Sequence, residues 1–324
     1  MTEHRAGKFP LLVGDVGGTN ARFGLVREDG GRPEEIRVYP CAAYPGLAEA
    51  AREYLAAVGG PPPRLGGLAV ATSVDGDLVQ MTNHVWRFSV EETRCALGLE
   101  RLLVVNDFTA LAMALPELEE ADLGAAGGGQ GRSGAPLALI GPGTGLGVSG
   151  LIPHGGGWIP LEGEGGHVTF SPADELEMEL LRILRRQFNH VSAERLLSGP
   201  GLVNLYRAHA AIAGNEAQAL DPAGVCSAAL SGECELCRAA LDSFCAMLGT
   251  AAGNLVLTLG ARGGLYIGGG IVPRLGEYFR GSPFRRRFER KGRFSSYLAE
   301  VPCWVITAPY AALTGMARLL RERS

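Results

Sequence analysis

A few short stretches carry side chains whose types and spacing could do chemistry. In LLVGDVGGTNARFGLV (Leu11–Val26) an apolar run ends at Asp15, and Gly17, Gly18, Thr19 and Asn20 form a hinge before the next apolar run. Successive backbone N–H groups in such a turn make an anion-binding concavity. An acid at its mouth would repel a bare phosphate, so Asp15 implies a divalent cation between them. Mg²⁺ suits that place, since it takes one or two carboxylates, phosphate oxygens and several waters. A plain hairpin with a solvated acid is the competing reading. Asn106 and Asp107 follow the apolar run Leu102–Val105 and precede a helical stretch, Phe108–Leu115, that Pro116 ends. That junction puts Asp107 at the carboxyl edge of a sheet, where open α/β sheets bind ligands. There it is either a base or an ordinary helix cap. PLEGEGGHVTF (Pro160–Phe170) sets Glu164 and His167 among glycines in a flexible loop, and VSAERLL (Val191–Leu197) carries Glu194. Carboxylates and amides of this kind read ligands rich in hydroxyls, unless His167 is a satisfied loop residue and Glu194 a helix-surface acid.

The elements that must position these groups read as α/β. A chain of 324 residues exceeds what one core usually serves and predicts two lobes. The opening hairpin continues into a third strand, Glu35–Tyr39, and a helix over Pro45–Val58. A buried strand Leu65–Thr72 follows, then a short return Asp75–Met81. Ser89 caps a helix Val90–Leu97 with Glu92 at capping-box spacing. The acidic, then Gly-rich stretch Glu117–Ala135 reads as a connection between lobes. LALIGPGTGLGVSGLI (Leu137–Ile152) repeats the grammar of the opening stretch, with Gly143 falling on Gly17 and Gly150 on Gly24. Two copies of one phosphate-turn unit suggest duplicated lobes facing one polyphosphate. Helices are expected over Asp174–Arg186, Leu202–Ala213, Cys234–Leu259 and Ala311–Leu320, and strands over Gly264–Ile267 and Val301–Ile306. A further helix starts by Pro273, after the glycine hinge Gly268–Gly270.

Composition excludes several classes. Thirty basic residues against 34 acidic argue against nucleic acid as main partner. FRRRFERKGRF (Phe284–Phe294) reads as a solvated surface. No apolar run approaches the roughly 18–20 residues that span a membrane, and the first residues lack a signal peptide's apolar core. Seven cysteines, an odd number without a framework, predict reduced thiols in a cytoplasm. Cys234, Cys237 and Cys245 contain half a zinc site, C-x₂-C, yet nothing completes four ligands, so buried helical thiols are expected. No P-loop motif is present. Gly145, Gly147 and Gly150 match G-x-G-x-x-G, but the pattern runs into VSGLI, which is strand-like, whereas a dinucleotide fold needs a helix there.

DVGGTNARFGL, VVNDFTALAMALP, GPGTGLGVSGL, GEGGHVTF, SAERLLSGPGLVNLY and LYIGGGIVPR, in this order, resemble the bacterial glucokinase family, from Leu11 to Leu320. That resemblance implies a two-lobed, actin-like (ribonuclease H-like) α/β ATPase fold with a central cleft, divided as 1–116 plus 308–324 and 117–307. It implies ATP-dependent phosphorylation of glucose at the 6-hydroxyl with Asp107 as base. Asn83, Asn106, Glu164, His167 and Glu194 would hold the sugar. Phosphates would lie on Gly14–Thr19 with Asn20 and on Gly141–Gly147. This places Gly14, Val16, Gly17, Gly18, Thr19, Gly141, Gly143, Thr144 and Gly145 at the nucleotide, with the Gly143 and Thr144 amides on the transferring phosphoryl group. Gly268, Gly269 and Gly270 would lie against adenosine, and Asp15 would order Mg²⁺ through water. A cytoplasmic homodimer without nucleic-acid or membrane partners is the family expectation. Thr72-Ser73 stands where relatives carry a proline, which leaves fine sugar selectivity open. A kinase of another hexose or amino sugar would keep these motifs, and a sugar-responsive regulator would share the fold.

Overall fold

The computed structural model describes residues 9–82 and 84–323, which fall into two compact units. The first holds the described residues up to Glu119 and those from Ala308 onward; the second is Glu120–Thr307.

In the first unit the opening hairpin is β1 (Leu11–Val16) and β2 (Asn20–Val26), antiparallel, with β3 (Glu34–Pro40) on the outer side. Helix α1 (Leu47–Val58) then leads to β4 (Leu65–Val70), parallel to β1. A separate small hairpin, β5 (Leu78–Gln80) with β6 (Arg87–Ser89), precedes α2 (Val90–Ala96). Ser89 caps α2 as its spacing predicts, accepting the Glu92 N–H at 3.0 Å. β7 (Arg101–Asn106) lies parallel to β4 and runs directly into α3 (Asp107–Ala114). The sheet order is β3-β2-β1-β4-β7. Val16, Val70 and Asn106 share one register row, so the turn after β1 and the junction after β7 sit at the same carboxyl edge. One strand separates them, a spacing of about 10 Å. On one face the buried Phe23, Tyr54 and Trp86 fill the core. The opposite face meets the helix Ala311–Arg323: a Cβ on Gly67 would touch Met316 and Leu320.

The second unit repeats this plan. β8 (Leu123–Ala125) is its edge strand. β9 (Leu137–Pro142) and β10 (Leu146–His154) form the second hairpin, extended by β11 (Gly157–Pro160). Four helices follow: α4 (Glu175–Leu184), α5 (Gly199–Ile212), α6 (Pro222–Ser231) and α7 (Glu235–Leu259). β12 (Gly264–Ile267) lies parallel to β9. The short helices α8 (Val272–Leu275), α9 (Glu277–Gly281), α10 (Phe284–Glu289) and α11 (Ser295–Ala299) lead to β13 (Cys303–Ile306), which precedes α12 (Ala311–Arg323). The sheet order is β11-β10-β9-β12-β13-β8. Among the described residues α7 alone is long and apolar enough to cross a membrane. Two-thirds of that stretch is buried within the fold, as befits a core helix (67 %).

Several expectations change. The connection at 117–135 contains β8, which pairs antiparallel with β13. Helix α6 was not foreseen, and α5 begins at Gly199 because Ser198 caps it, accepting the Gly201 N–H at 3.0 Å. The basic run is not simply a solvated surface. Phe284 and Phe288 are fully buried, and Arg287 reaches Asp174 (2.6 Å) and Glu177 (2.7 Å). Arg285 bonds Glu289 and the carbonyls of Val301 and Leu298, while Arg286 remains exposed. The helical stripe of phenylalanines draws these arginines inward, where carboxylates and carbonyls satisfy them. The G-x-G-x-x-G pattern starts in the turn and runs into strand β10, so no helix begins within it.

Candidate active site

Asn106, not Asp107, caps α3: its Oδ1 accepts the Phe108 N–H at 2.9 Å. Its Nδ2 donates to the Thr72 carbonyl at 3.3 Å, so the segment just beyond β4 fixes the amide. Asp107 is the first residue of the helix, half-buried, with one carboxylate oxygen on the Phe108 N–H at 2.9 Å. The positive end of the α3 dipole lies beside that carboxyl group.

On the same sheet edge the turn after β1 closes on itself, the Gly17 N–H donating to the Asn20 carbonyl at 3.0 Å. Among the described residues the Gly18 and Thr19 amides donate to no protein group. Gly14 and Val16 are buried strand residues that support the turn. Asp15 faces Arg22 across the hairpin, and Arg22 Nη1 donates to its Oδ2 at 3.2 Å. Burial pushes the Asp15 carboxyl above its ordinary value, and the Arg22 guanidinium opposes the shift. A half-buried carboxylate beside a phosphate turn, with a cation on one oxygen, has the donor chemistry of a Mg²⁺ site completed by phosphates and water. Arg22 was missed from sequence, although hairpin register places it opposite Asp15.

In the second unit the turn after β9 is tighter, the Gly143 N–H donating two residues on to the Gly145 carbonyl at 2.8 Å. Gly17 and Gly143 thus both donate within their own turns, but with different spans. Thr144 is exposed at the tip. The Gly143 carbonyl accepts the Gly199 N–H at 2.8 Å, tying the turn to the start of α5. Gly141 lies in β9, and the loop Gly268–Gly270 runs alongside: the Gly268 N–H donates to the Ile140 carbonyl at 2.9 Å. Gly269 adopts φ +76° and packs so close to the Pro142 carbonyl that a Cβ would overlap it.

The segment carrying His167 runs beside that carrying Glu194. The Glu194 N–H donates to the Gly166 carbonyl and the Ala193 N–H to the Val168 carbonyl, each at 2.9 Å. Gly165 and Gly166 lie directly against β10, where a Cβ would overlap Val148 or the Leu146 carbonyl. Glu164 and His167 approach to 3.9 Å, and both side chains are exposed. Glu194 lies on a turn, not on a helix, and its Oε2 accepts the Leu146 N–H at 2.9 Å. That contact with the phosphate turn was not legible in the sequence. His167 and Glu194 line one pocket of about 380 Å³ with Gln187, Phe188 and Arg195. Asn83 lies outside the described residues.

A sequence model of the glucokinase family matches residues 12–323. The glucokinase of Chromobacterium violaceum is 56 % identical over 314 residues, covering 97 % of this chain and 90 % of that one. That of Aromatoleum aromaticum is 52 % identical, covering 96 % and 95 %. The crystal structure of a glucokinase from an Antarctic psychrotroph, 40 % identical, covers 97 % of this chain and 99 % of that one with a TM-score of 0.89. With the duplicated Gly-rich turns and the Asn106-Asp107 junction in hand, these matches define an actin-like α/β ATPase fold, and the chain belongs to the glucokinase family.

Proposed function

We propose that this chain transfers the γ-phosphoryl group of ATP to the 6-hydroxyl of glucose, giving glucose 6-phosphate. The observation that carries the reading is the shared sheet edge of Asp107 and the Gly17–Thr19 turn, a base and a phosphate cradle about 10 Å apart. Asn106, pinned by the Thr72 carbonyl, orients the first turn of α3 and with it the Asp107 carboxylate. Asp107 takes the proton of the attacking hydroxyl, and Asn106 holds a neighbouring one. Glu164, His167 and Glu194 bind the remaining hydroxyls, Glu194 through the oxygen not committed to Leu146. The amides of Gly18, Thr19 and Thr144 receive phosphate oxygens. Asp15 is the residue that would hold Mg²⁺ through water, and the ion would neutralise phosphate charge.

We take the two units as the functional lobes and place the protein in the cytoplasm as a homodimer acting on free sugar and nucleotide, with no nucleic-acid or membrane partner. Seven cysteines without a disulfide framework support that compartment, and sedimentation checks the dimer. The decisive assay couples glucose 6-phosphate formation to a dehydrogenase with MgATP, across glucose, mannose, fructose and N-acetylated sugars. Glucose should be preferred. Asp107→Asn should keep sugar affinity while turnover drops roughly 10²–10⁴-fold, the usual worth of a positioned base. Near-normal turnover in Asp107→Asn would remove this carboxylate from the chemistry.

A further inference from the structure

Helix α7 begins on a sulfur. Other capped helices take an oxygen at that position, from Ser89, Asn106, Asp174, Ser198 or Asp221. At α7 the Cys234 Sγ accepts the Cys237 N–H at 3.3 Å. The Cys237 thiol also influences that sulfur, favouring its ionised form. Cys234 is partly exposed, whereas Cys237, one turn on, is fully buried. Cα atoms three residues apart on a helical turn stand about 5 Å apart, within the Cα span a disulfide bridges.

Partial burial works against ionisation of Cys234, but the hydrogen bonds from Cys237 and the first-turn amides outweigh it and hold the thiol below its ordinary value. Burial, with the neighbouring Cys234 sulfur, pushes Cys237 up to about 12. The pair thus has one accessible sulfur disposed to ionise and one shielded sulfur that keeps its proton, the division of labour of a C-x-x-C exchange site at a helix N-terminus.

We propose that Cys234 and Cys237 form a dithiol–disulfide exchange site for small soluble disulfides such as oxidised glutathione, with Cys234 attacking and Cys237 resolving. The Cys234 thiolate attacks one sulfur of the disulfide, forming a mixed disulfide and releasing one thiolate. Cys237 gives up its proton and attacks the Cys234 sulfur, forming the internal bond and releasing the second thiolate. The protein dithiol loses two electrons and two protons, and the small disulfide is reduced to two thiols. The site is independent of the sugar-kinase reading.

The full-length reduced protein, incubated with oxidised glutathione and mapped by mass spectrometry without reductant, tests it. Two of the seven thiols should disappear, the linkage should lie between Cys234 and Cys237, and dithiothreitol should restore both. At early times the mixed disulfide should sit on Cys234, and Cys237→Ser should trap it there. The exposed Cys95 provides the internal comparison. Glutathione on Cys95 with Cys234 left free would overturn the proposal. So would a bridge from Cys237 to Cys226, the thiol on α6 whose charge reaches Cys237. The wild-type map decides even where the variant folds poorly.

Discussion

At the scale of single residues, Asp15 shows a functional demand set against stability. Burial raises its pKa above the ordinary aspartate value of 3.8, with Arg22 pulling the other way. The folded state therefore holds the Asp15 proton more tightly than the unfolded chain. The stability this confers is complete below the ordinary value and is lost as pH rises through the raised one. Above that raised value the ionised carboxylate is a net cost, which a cation would relieve. Asp15→Asn should therefore melt at the same or a higher temperature than wild type at neutral pH, with that advantage gone at acid pH, while its MgATP-dependent activity falls. Calorimetry across pH beside a kinase assay checks both halves, and a variant that loses stability at neutral pH would contradict the sign. The sequence showed the acid and its hinge. It hid how the carboxylate is held, since that depends on which residue faces it across the hairpin.

Among the elements, the two hairpins with their turns were legible because strand alternation and turn chemistry are local signals. Helix α6 was not, since PAGVCSAALS is rich in small residues and shows little apolar stripe. β8 has three residues and owes its existence to β13, far along the chain. Arg287 could not be read as buried, because its partner Glu177 lies 110 positions earlier. The glycines of the site separate into two kinds. A Cβ on Gly145 would meet Glu194 Oε2 at 2.5 Å, the tip of a side chain that can swing away. A Cβ on Gly166 would overlap the Leu146 carbonyl, which is backbone in a strand. Gly145→Ala should fold nearly normally while KM rises for sugar and nucleotide together, because Glu194 is displaced from Leu146. Gly166→Ala should lose roughly 1–3 kcal/mol or more of unfolding free energy, the usual cost of overpacking. Chemical denaturation and steady-state kinetics distinguish the two, and equal destabilisation would show that the side chain is not free to yield.

Across the whole molecule, the groups proposed to act on one sugar are divided: Asn106 and Asp107 belong to the first unit, Glu164, His167 and Glu194 to the second. Catalysis should then wait until sugar engages both, an induced-fit scheme that keeps water from serving as acceptor. ATP hydrolysis without sugar should be very low and should rise when a five-carbon analogue of glucose, lacking the reacting CH₂OH, is added. Vigorous sugar-free hydrolysis would show that no such coupling exists. The repeated turn suggested two lobes, and the resemblance joined 308–324 to the first of them. Which residues of α12 pack on that unit was not legible, because packing across the chain leaves no local mark. That packing is tight. A Cβ on Gly315 of α12 would overlap the Ala110 carbonyl of α3, the helix that begins with Asp107. During synthesis, Glu120–Thr307 leaves the ribosome as an uninterrupted stretch and has all its strands before α12 is made. The N-terminal unit, although translated first, must hold an open sheet face until α12 emerges. The unit that holds Asp107 is thus completed after the other has all its strands, once α12 is made.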